Sequence, residues 1–128
     1  MWKDLILVGA GGAFGSMLRF ITSRIVSLFV EGEWLFFGTL VANIIGCLLI
    51  GIFSGWIFTH HPESQSFRLL MIVGFCRGYT TFSAFAFENM RLIEMNQWGL
   101  FVLYTTSSII LGLLSVWGGI KIVQALSL

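Results

Sequence analysis

Residues 74–88 combine residue types that can bind an ion. Their sequence is GFCRGYTTFSAFAFE. Within this stretch, residues 78–81 interrupt an otherwise helical apolar pattern, and interrupted helices in a membrane expose backbone groups that bind ions. Phe82 and Phe85 follow at a spacing of three, which places both rings on one helix face. Because the edge of an aromatic ring is positive, two such edges can line the path of a small anion. The alternative is that both rings are ordinary packing or lipid-facing residues.

The composition predicts that this stretch lies in a membrane. Hydrophobic residues make up 57% and charged residues 10% of the 128 residues, whereas soluble proteins carry roughly 25% charged residues. The chain is therefore predicted to be an all-α integral membrane protein, with one domain over residues 1–128. Its net charge of +1 excludes the basic footprint of a nucleic-acid-binding protein and a polybasic membrane-surface patch.

Four apolar segments are each long enough to cross a hydrocarbon core of about 30 Å as a helix. They are residues 5–29, 34–58, 67–90 and 98–123. The first is too long for a signal peptide and lacks a convincing cleavage site, so we expect it to be retained as a helix. The loops between the segments are short, which means that any function must be housed among the helices, with the third helix broken at residues 78–81.

Small residues recur along the predicted helices. Three pairs of glycines are four positions apart: Gly11 and Gly15, Gly51 and Gly55, and Gly74 and Gly78, and a stripe of Gly38, Ala42 and Gly46 follows the second helix. Such stripes allow helix backbones to approach closely in lipid. We therefore expect close helix packing within the chain and between two copies of it.

Charged residues give little preference for one orientation in the membrane. One side would carry Lys3, Arg68 and Lys121, and the other Arg24 and Arg91. A difference of three against two is almost no positive-inside bias. An antiparallel homodimer of chains inserted both ways is the expected assembly.

Arg19 and Asn43 are the polar side chains predicted inside the first two spans. A charge near a helix centre is unfavourable by ~2.5–3.5 kcal/mol on insertion scales. Arg19 either attracts an anion into a water-filled vestibule or extends to the nearer interface. Asn43 either lines a polar path or forms a hydrogen bond to a neighbouring helix.

The fourth span carries a row of hydroxyl groups. Tyr104 and Ser108 are four residues apart, so they share one helix face, which Gly112 continues. Thr105 and Ser107 lie beside them. These hydroxyls either donate to an anion or bond back to carbonyls of the preceding helical turn.

The remaining reactive side chains do not suggest an enzyme. Glu88 is expected at the end of the third span as a solvated or paired carboxylate, and His60 and His61 as solvated loop residues, since adjacent residues do not converge on one metal ion. Cys47 and Cys76 lie in apolar segments and are expected to be packing residues. No catalytic constellation, zinc motif or Walker motif occurs at interpretable spacing.

Three ordered motifs resemble the Fluc (CrcB) family of fluoride channels. Residues 78–85, GYTTFSAF, look like the family signature G-x-T-T-F-S-T-F. Residues 38–43, GTLVAN, are similar to its GTLxxN motif, and Gly15 to Arg19 to its G-x-x-x-R. With the four spans, the resemblance covers essentially the whole chain.

The resemblance implies a dual-topology, antiparallel homodimer with two pores that exports fluoride passively across the bacterial inner membrane. Phe82 and Phe85 would bind fluoride through their ring edges, and Asn43 would donate to it. The other implied pore residues are Tyr104, Ser108, Thr81, Ser83 and Arg19, the last in the vestibule. A structural sodium ion would lie at the dimer centre, bound by the carbonyls of Thr80 and of residue 77.

The chain departs from the family signature at three positions. Arg77 stands where the family has a glycine, Ala84 replaces a threonine, and Ala86 replaces a frequent serine. The two alanines remove hydroxyls from the region between the rings and Glu88. Such losses also occur in heteromers in which each chain keeps one working pore, so an accessory subunit of a heteromeric fluoride channel is one alternative.

A second alternative is a small dual-topology multidrug exporter, which has the same four-span outline. That mechanism requires a membrane-embedded carboxylate that exchanges protons for a cationic drug. The first span carries Phe14 and Arg19 rather than an acid. The fluoride channel is therefore the favoured interpretation.

Overall fold

The structure, a computed structural model, describes residues 1–60 and 64–126. Four helical segments in this part of the chain are long and apolar enough to cross a membrane. They are α1 (Trp2–Val26), α2 (Phe37–His60), a third span over Gln65–Glu94, and α6 (Trp98–Leu126). The predicted four-span, all-α organisation is confirmed, and none of the described residues forms a strand.

The third span is built from several pieces. It comprises the short helix α3 (Gln65–Phe67), a π-helix (Arg68–Cys76), the single turn α4 (Arg77–Tyr79) and the helix α5 (Ser83–Glu94). We call residues 80–82, which are not helical, the break. An interruption of this span is confirmed, but it begins two residues later than predicted, because Gly78 and Tyr79 belong to α4. Its backbone is extended at Thr80, where φ is −84° and ψ is 161°.

Side chains cause the break by taking over backbone hydrogen bonds. The N–H of Thr81 donates to Oδ1 of Asn43 at 2.8 Å, and the N–H of Ala84 donates to Oγ1 of Thr81 at 3.2 Å. In a continuous α-helix these two N–H groups would donate to the carbonyls of Arg77 and Thr80. Local side-chain acceptors of this kind compete with the helical ladder.

Glycines allow α1 to pack directly against the first half of the third span. A Cβ atom added at Gly11 would overlap the carbonyl oxygen of Leu70, and one added at Gly15 would overlap that of Phe75. On the opposite helix, Gly78 lies against the backbone of Gly12. The predicted close packing of small residues is confirmed within the chain.

The same principle joins α2 to α6. A Cβ atom at Gly51 would overlap the carbonyl oxygen of Val116, and one at Gly119 would lie 2.5 Å from that of Leu48. Farther along α2, Gly46 makes room for the methyl group of Thr80. Thus α2 contacts α6 and the break at once.

The predicted ends of the spans were less accurate. Helix α1 ends at Val26 instead of residue 29; just beyond its end, Oγ of Ser27 donates to the carbonyl of Arg24 at 2.7 Å. Gly32 then adopts a left-handed φ of 63°. The polar loop predicted for residues 91–97 was wrong at its start, because α5 continues to Glu94.

The histidines lie at the end of α2. Helix α2 extends to His60, whose ring stacks on that of Trp56 with centroids 6.0 Å apart. His60 is exposed, as predicted, but the loop position predicted for it was wrong, because it is the last residue of α2. His61 lies outside the described residues.

Most of the apolar surface of the single chain remains uncovered. In the most apolar 18-residue stretch of α6, only 6% is buried within the chain, and in that of α1 only 11% is buried. Large side chains such as Phe14, Leu113 and Trp117 are exposed. These surfaces must face lipid or another chain.

Candidate functional site

A cavity of about 310 Å³ lies where α2, the break, α5 and α6 meet. It is lined by residues from each of these elements: Asn43, Cys47, Ile50, Thr80, Thr81, Phe82, Phe85, Ser108, Ile109 and Gly112. Five predicted pore residues, Asn43, Thr81, Phe82, Phe85 and Ser108, are therefore brought together. The cavity also includes Cys47, Ile50 and Ile109, which were not predicted as pore residues because apolar side chains in a membrane helix carry no local signal of a cavity wall.

Asn43 is fixed by two hydrogen bonds to a single residue of the break. Its Oδ1 accepts the N–H of Thr81 at 2.8 Å, and its Nδ2 donates to the carbonyl of Thr81 at 3.1 Å. The backbone N–H can only donate, which determines the orientation of the amide. An amide nitrogen has two N–H donors, so one remains after the bond to Thr81. Both interpretations of Asn43 therefore apply, because it bonds to another helix and also lines the cavity.

The two phenylalanine rings contact each other at the mouth of the cavity. Their centroids are 5.8 Å apart and the ring planes are inclined by 42°. Phe82 lies in the break and is 77% exposed in the single chain. Phe85 lies on α5, and its ring meets that of Tyr104 edge-on with centroids 5.0 Å apart.

The hydroxyl row of α6 divides into groups with different surroundings. Ser107 donates back to the carbonyl of Leu103, as a structural hydroxyl does. Oγ of Ser108 and Oγ1 of Thr105 are buried and have no hydrogen-bond partner within the described residues. Ser108 and Gly112 line the cavity, whereas Tyr104 is fully buried beside it. Ser108 is thus a donor available to a ligand in the cavity.

Glu88 lies inside the protein rather than at the end of a helix. Since α5 continues to Glu94, the predicted terminal position was wrong. The carboxylate accepts hydrogen bonds from Oγ1 of Thr39 at 3.0 Å and from the hydroxyl of Tyr104 at 2.9 Å. The predicted paired state is therefore correct, but its partners come from α2 and α6. No local spacing relates these three residues, so the only signal of the cluster in the sequence is a carboxylate among apolar residues.

Arg19 contacts α4, the helical turn that precedes the break. It is half-buried, and its Nε donates to the carbonyl of Gly78 at 3.3 Å. It is not among the residues that line the cavity. Nearby, the hydroxyls of Thr22 and Tyr79 lie 2.8 Å apart and connect α1 to the same turn. The Arg19 side chain is therefore held against α4, two residues before the break.

Ser83 is an exposed residue at the start of α5 and lies outside the cavity lining. Its Oγ is 3.3 Å from Oγ1 of Thr81. Thr81 also accepts the N–H of Ala84 through the same hydroxyl. The two hydroxyls are therefore linked, but only Thr81 contributes to the cavity wall.

The sodium ion implied by the resemblance can be tested against the break. The carbonyls of Arg77 and Thr80 have lost their helical donors to Asn43 and Thr81, and neither accepts another hydrogen bond within the described residues. Free carbonyls of an unwound helix suit a sodium ion. However, residue 77 also carries an exposed guanidinium group, and two copies would place two positive charges beside the ion. The carbonyl oxygens alone would suit a sodium ion, but with the Arg77 charge beside them the residues at this position do not fit it.

The chain is similar to known proteins over almost its entire length. A family model described as "CrcB-like protein, Camphor Resistance (CrcB)" matches residues 6–120. The "Fluoride-specific ion channel FluC" of Flavobacterium psychrophilum is 39% identical over 124 residues, covering 97% of this chain and 99% of the relative. The protein of the same name from Pseudomonas putida is 40% identical over 121 residues, covering 91% and 94%. The chain belongs to the CrcB family.

Proposed function

We propose that this chain is a fluoride-selective ion channel of the bacterial inner membrane, through which fluoride leaves the cytoplasm passively and is kept below toxic levels. Its relatives are named fluoride-specific ion channels, and its four spans make it a multi-pass membrane protein. The observation that carries the proposal is the wall of the cavity. The wall offers N–H and O–H donors and phenylalanine rings, and no carboxylate occurs among its described residues.

The cavity wall suits a small anion that is a strong hydrogen-bond acceptor. The second N–H of Asn43 and the hydroxyl of Ser108 are neutral donors, and the edges of Phe82 and Phe85 are positive. The ring edges can replace the water molecules around the anion. They do so without a fixed charge, which would bind the ion too tightly for release. Conduction requires binding that is favourable enough for entry and weak enough for release.

We propose that the path continues beyond the cavity on both sides. Arg19, held at the carbonyl of Gly78, supplies positive charge near the break and attracts the anion into the vestibule. On the other side, Phe85 packs against Tyr104, whose hydroxyl is bonded to Glu88. Fluoride arriving there competes with the carboxylate for the same O–H donor, which favours release. Thr81 and Ser83 contribute hydroxyls between these regions.

The proposed assembly is an antiparallel homodimer of chains with opposite orientations, with two pores. It is supported by the weak charge bias and by the exposed apolar faces of α1 and α6. The sodium ion expected at the carbonyls of Arg77 and Thr80 stays a prediction, and the charge of Arg77 opposes it. No step of the proposed transport depends on sodium.

The multidrug exporter is not favoured. Its mechanism needs a carboxylate in the substrate site, whereas Glu88 is bonded to Thr39 and Tyr104 and is absent from the cavity lining. A heteromer in which this chain is only an accessory subunit predicts no transport by the chain alone. Fluoride efflux measured with the purified chain alone distinguishes that case.

Transport by the purified chain can be measured in liposomes loaded with potassium fluoride. Valinomycin allows potassium to balance the charge, and a fluoride electrode records efflux. We expect rapid release of fluoride, and retention of chloride in a parallel sample. Liposomes that retain fluoride like protein-free controls would refute the channel proposal for the homomer, and release of both halides would refute selectivity.

A further inference from the structure

Arg77 is a charged residue at membrane depth, and no hydrogen bond or ion pair of its side chain occurs within the described part of the chain. It is the first residue of α4 and is exposed, and its guanidinium contacts no acceptor among the described residues. It lies twelve residues after Gln65, about 18 Å along a helix at 1.5 Å per residue, and so is near the middle of the span Gln65–Glu94. At that depth a charge normally faces a cavity or a partner rather than lipid.

The same part of the chain presents two backbone carbonyls that accept no hydrogen bond from any residue the structure describes. The carbonyls of Arg77 and Thr80 have lost their helical donors, because the N–H groups of Thr81 and Ala84 bond to side chains instead. Backbone carbonyls buried away from water need a donor. A guanidinium group is a planar arrangement of five N–H donors and has no acceptor. The exposed charge and the free carbonyls are therefore complementary.

We propose that a second copy of this chain brings them together: the Arg77 guanidinium of each copy donates to free carbonyls at the break of the other, in place of a central metal cation. The inference rests on the proposed homodimer. In a two-fold interface each contact is made twice by symmetry, so one residue satisfies both breaks. Arginine suits this position because its charge is delocalised and weakly hydrated. Pairing of the two chains consequently requires no sodium.

Subunit exchange between differently labelled dimers tests the inference in sodium buffer and in buffer with N-methyl-D-glucamine as the only cation. We expect wild-type exchange to be equally slow in both. Arg77→Gly removes the guanidinium and keeps the carbonyls, so its dimers should exchange roughly tenfold faster or more without sodium, and sodium should restore slow exchange. Arg91→Gly, which removes an exposed arginine from α5 in the same span, is the matched control and should behave like the wild type.

The other possible results either overturn this inference or refute the homodimer on which it rests. Wild-type dimers that loosen when sodium is removed overturn the inference but leave the channel proposal intact. Arg77→Gly dimers as stable as the wild type in both buffers also overturn it, because the guanidinium would then contribute nothing to pairing. If Arg77→Gly does not fold, Arg77→Met, whose side chain has no N–H donor, provides the same test without a glycine. A wild type that never pairs refutes the proposed homodimer itself, and this inference with it.

Discussion

At the scale of single residues, Asn43 controls both the shape and the chemistry of the site. Its amide holds the backbone of Thr81 through two hydrogen bonds and retains one N–H for the cavity. A fixed donor needs little reorganisation when an anion arrives. The same side chain therefore has a structural function and, in the proposed channel, a binding function, which the sequence alone could not separate.

Exchanging Asn43 for aspartate tests this double function. Asn43→Asp can still accept from Thr81 N–H but cannot donate, and it adds a negative charge to the cavity. We expect fluoride efflux to fall roughly a hundredfold, because a site built around a donor rejects its ligand when the donor is lost. Asn96→Asp makes the same chemical change at an exposed position outside the cavity and should leave efflux unchanged. Equal rates in the two variants would contradict the proposed site.

The aromatic wall can be tested with a matched pair of phenylalanines. Phe82→Ile keeps an apolar side chain but removes the positive ring edge, and we expect efflux to slow by about tenfold, the effect of ~1.4 kcal/mol on a rate. Phe87 is also exposed, at 64%, but does not line the cavity. Phe87→Ile should therefore conduct normally. The liposome assay measures both, and a normal rate for Phe82→Ile would exclude its ring from the path.

Cys47 provides a chemical probe of the cavity. It lines the cavity, whereas Cys76 is fully buried and is not among the lining residues. Treatment with the small neutral reagent methyl methanethiosulfonate should add a methylthio group to Cys47 and slow efflux. Cys47→Ser should abolish this sensitivity and Cys76→Ser should preserve it. Inhibition that survives in Cys47→Ser would place the reactive thiol outside the path.

At the scale of elements, glycines determine how closely the break approaches α2. The methyl group of Thr80 occupies the space where a Cβ of Gly46 would be. Gly46→Ala should therefore displace the break, slow efflux and destabilise the protein by about 1–3 kcal/mol, as overpacking does. Gly118 on α6 has no atom near its missing Cβ, so Gly118→Ala should have a normal thermal denaturation midpoint. A stable, active Gly46→Ala would show that Thr80 moves without consequence.

The elements also show what could be predicted from sequence. The four spans followed from hydropathy, and the break followed from residues 78–81, because these are local properties of the chain. The Thr39–Glu88–Tyr104 cluster was missed because its members come from three elements and meet only after packing. The end of α5 was misplaced for a related reason. Arg91 and Glu94 suggested a loop, but exposed helix ends carry charges equally well.

At the scale of the whole molecule, dual topology is the proposal with the simplest test. In a cysteine-free background, Ser66→Cys and Asn96→Cys place thiols at exposed positions near opposite ends of the helices. If the chain inserts both ways, a membrane-impermeant maleimide should label about half of each variant from outside. Complete labelling of one variant and none of the other would show a single orientation and exclude the antiparallel dimer.

The hydrogen bonds between Asn43 and Thr81 have a consequence for amide hydrogen exchange. The break has lost its helical ladder, yet the Thr81 N–H is held at 2.8 Å from a side-chain acceptor. Its deuterium uptake should therefore be slow in a segment where fast uptake would otherwise be expected. Asn43→Ser should accelerate uptake at Thr81 selectively, so the integrity of the site can be monitored in the absence of any ion flux.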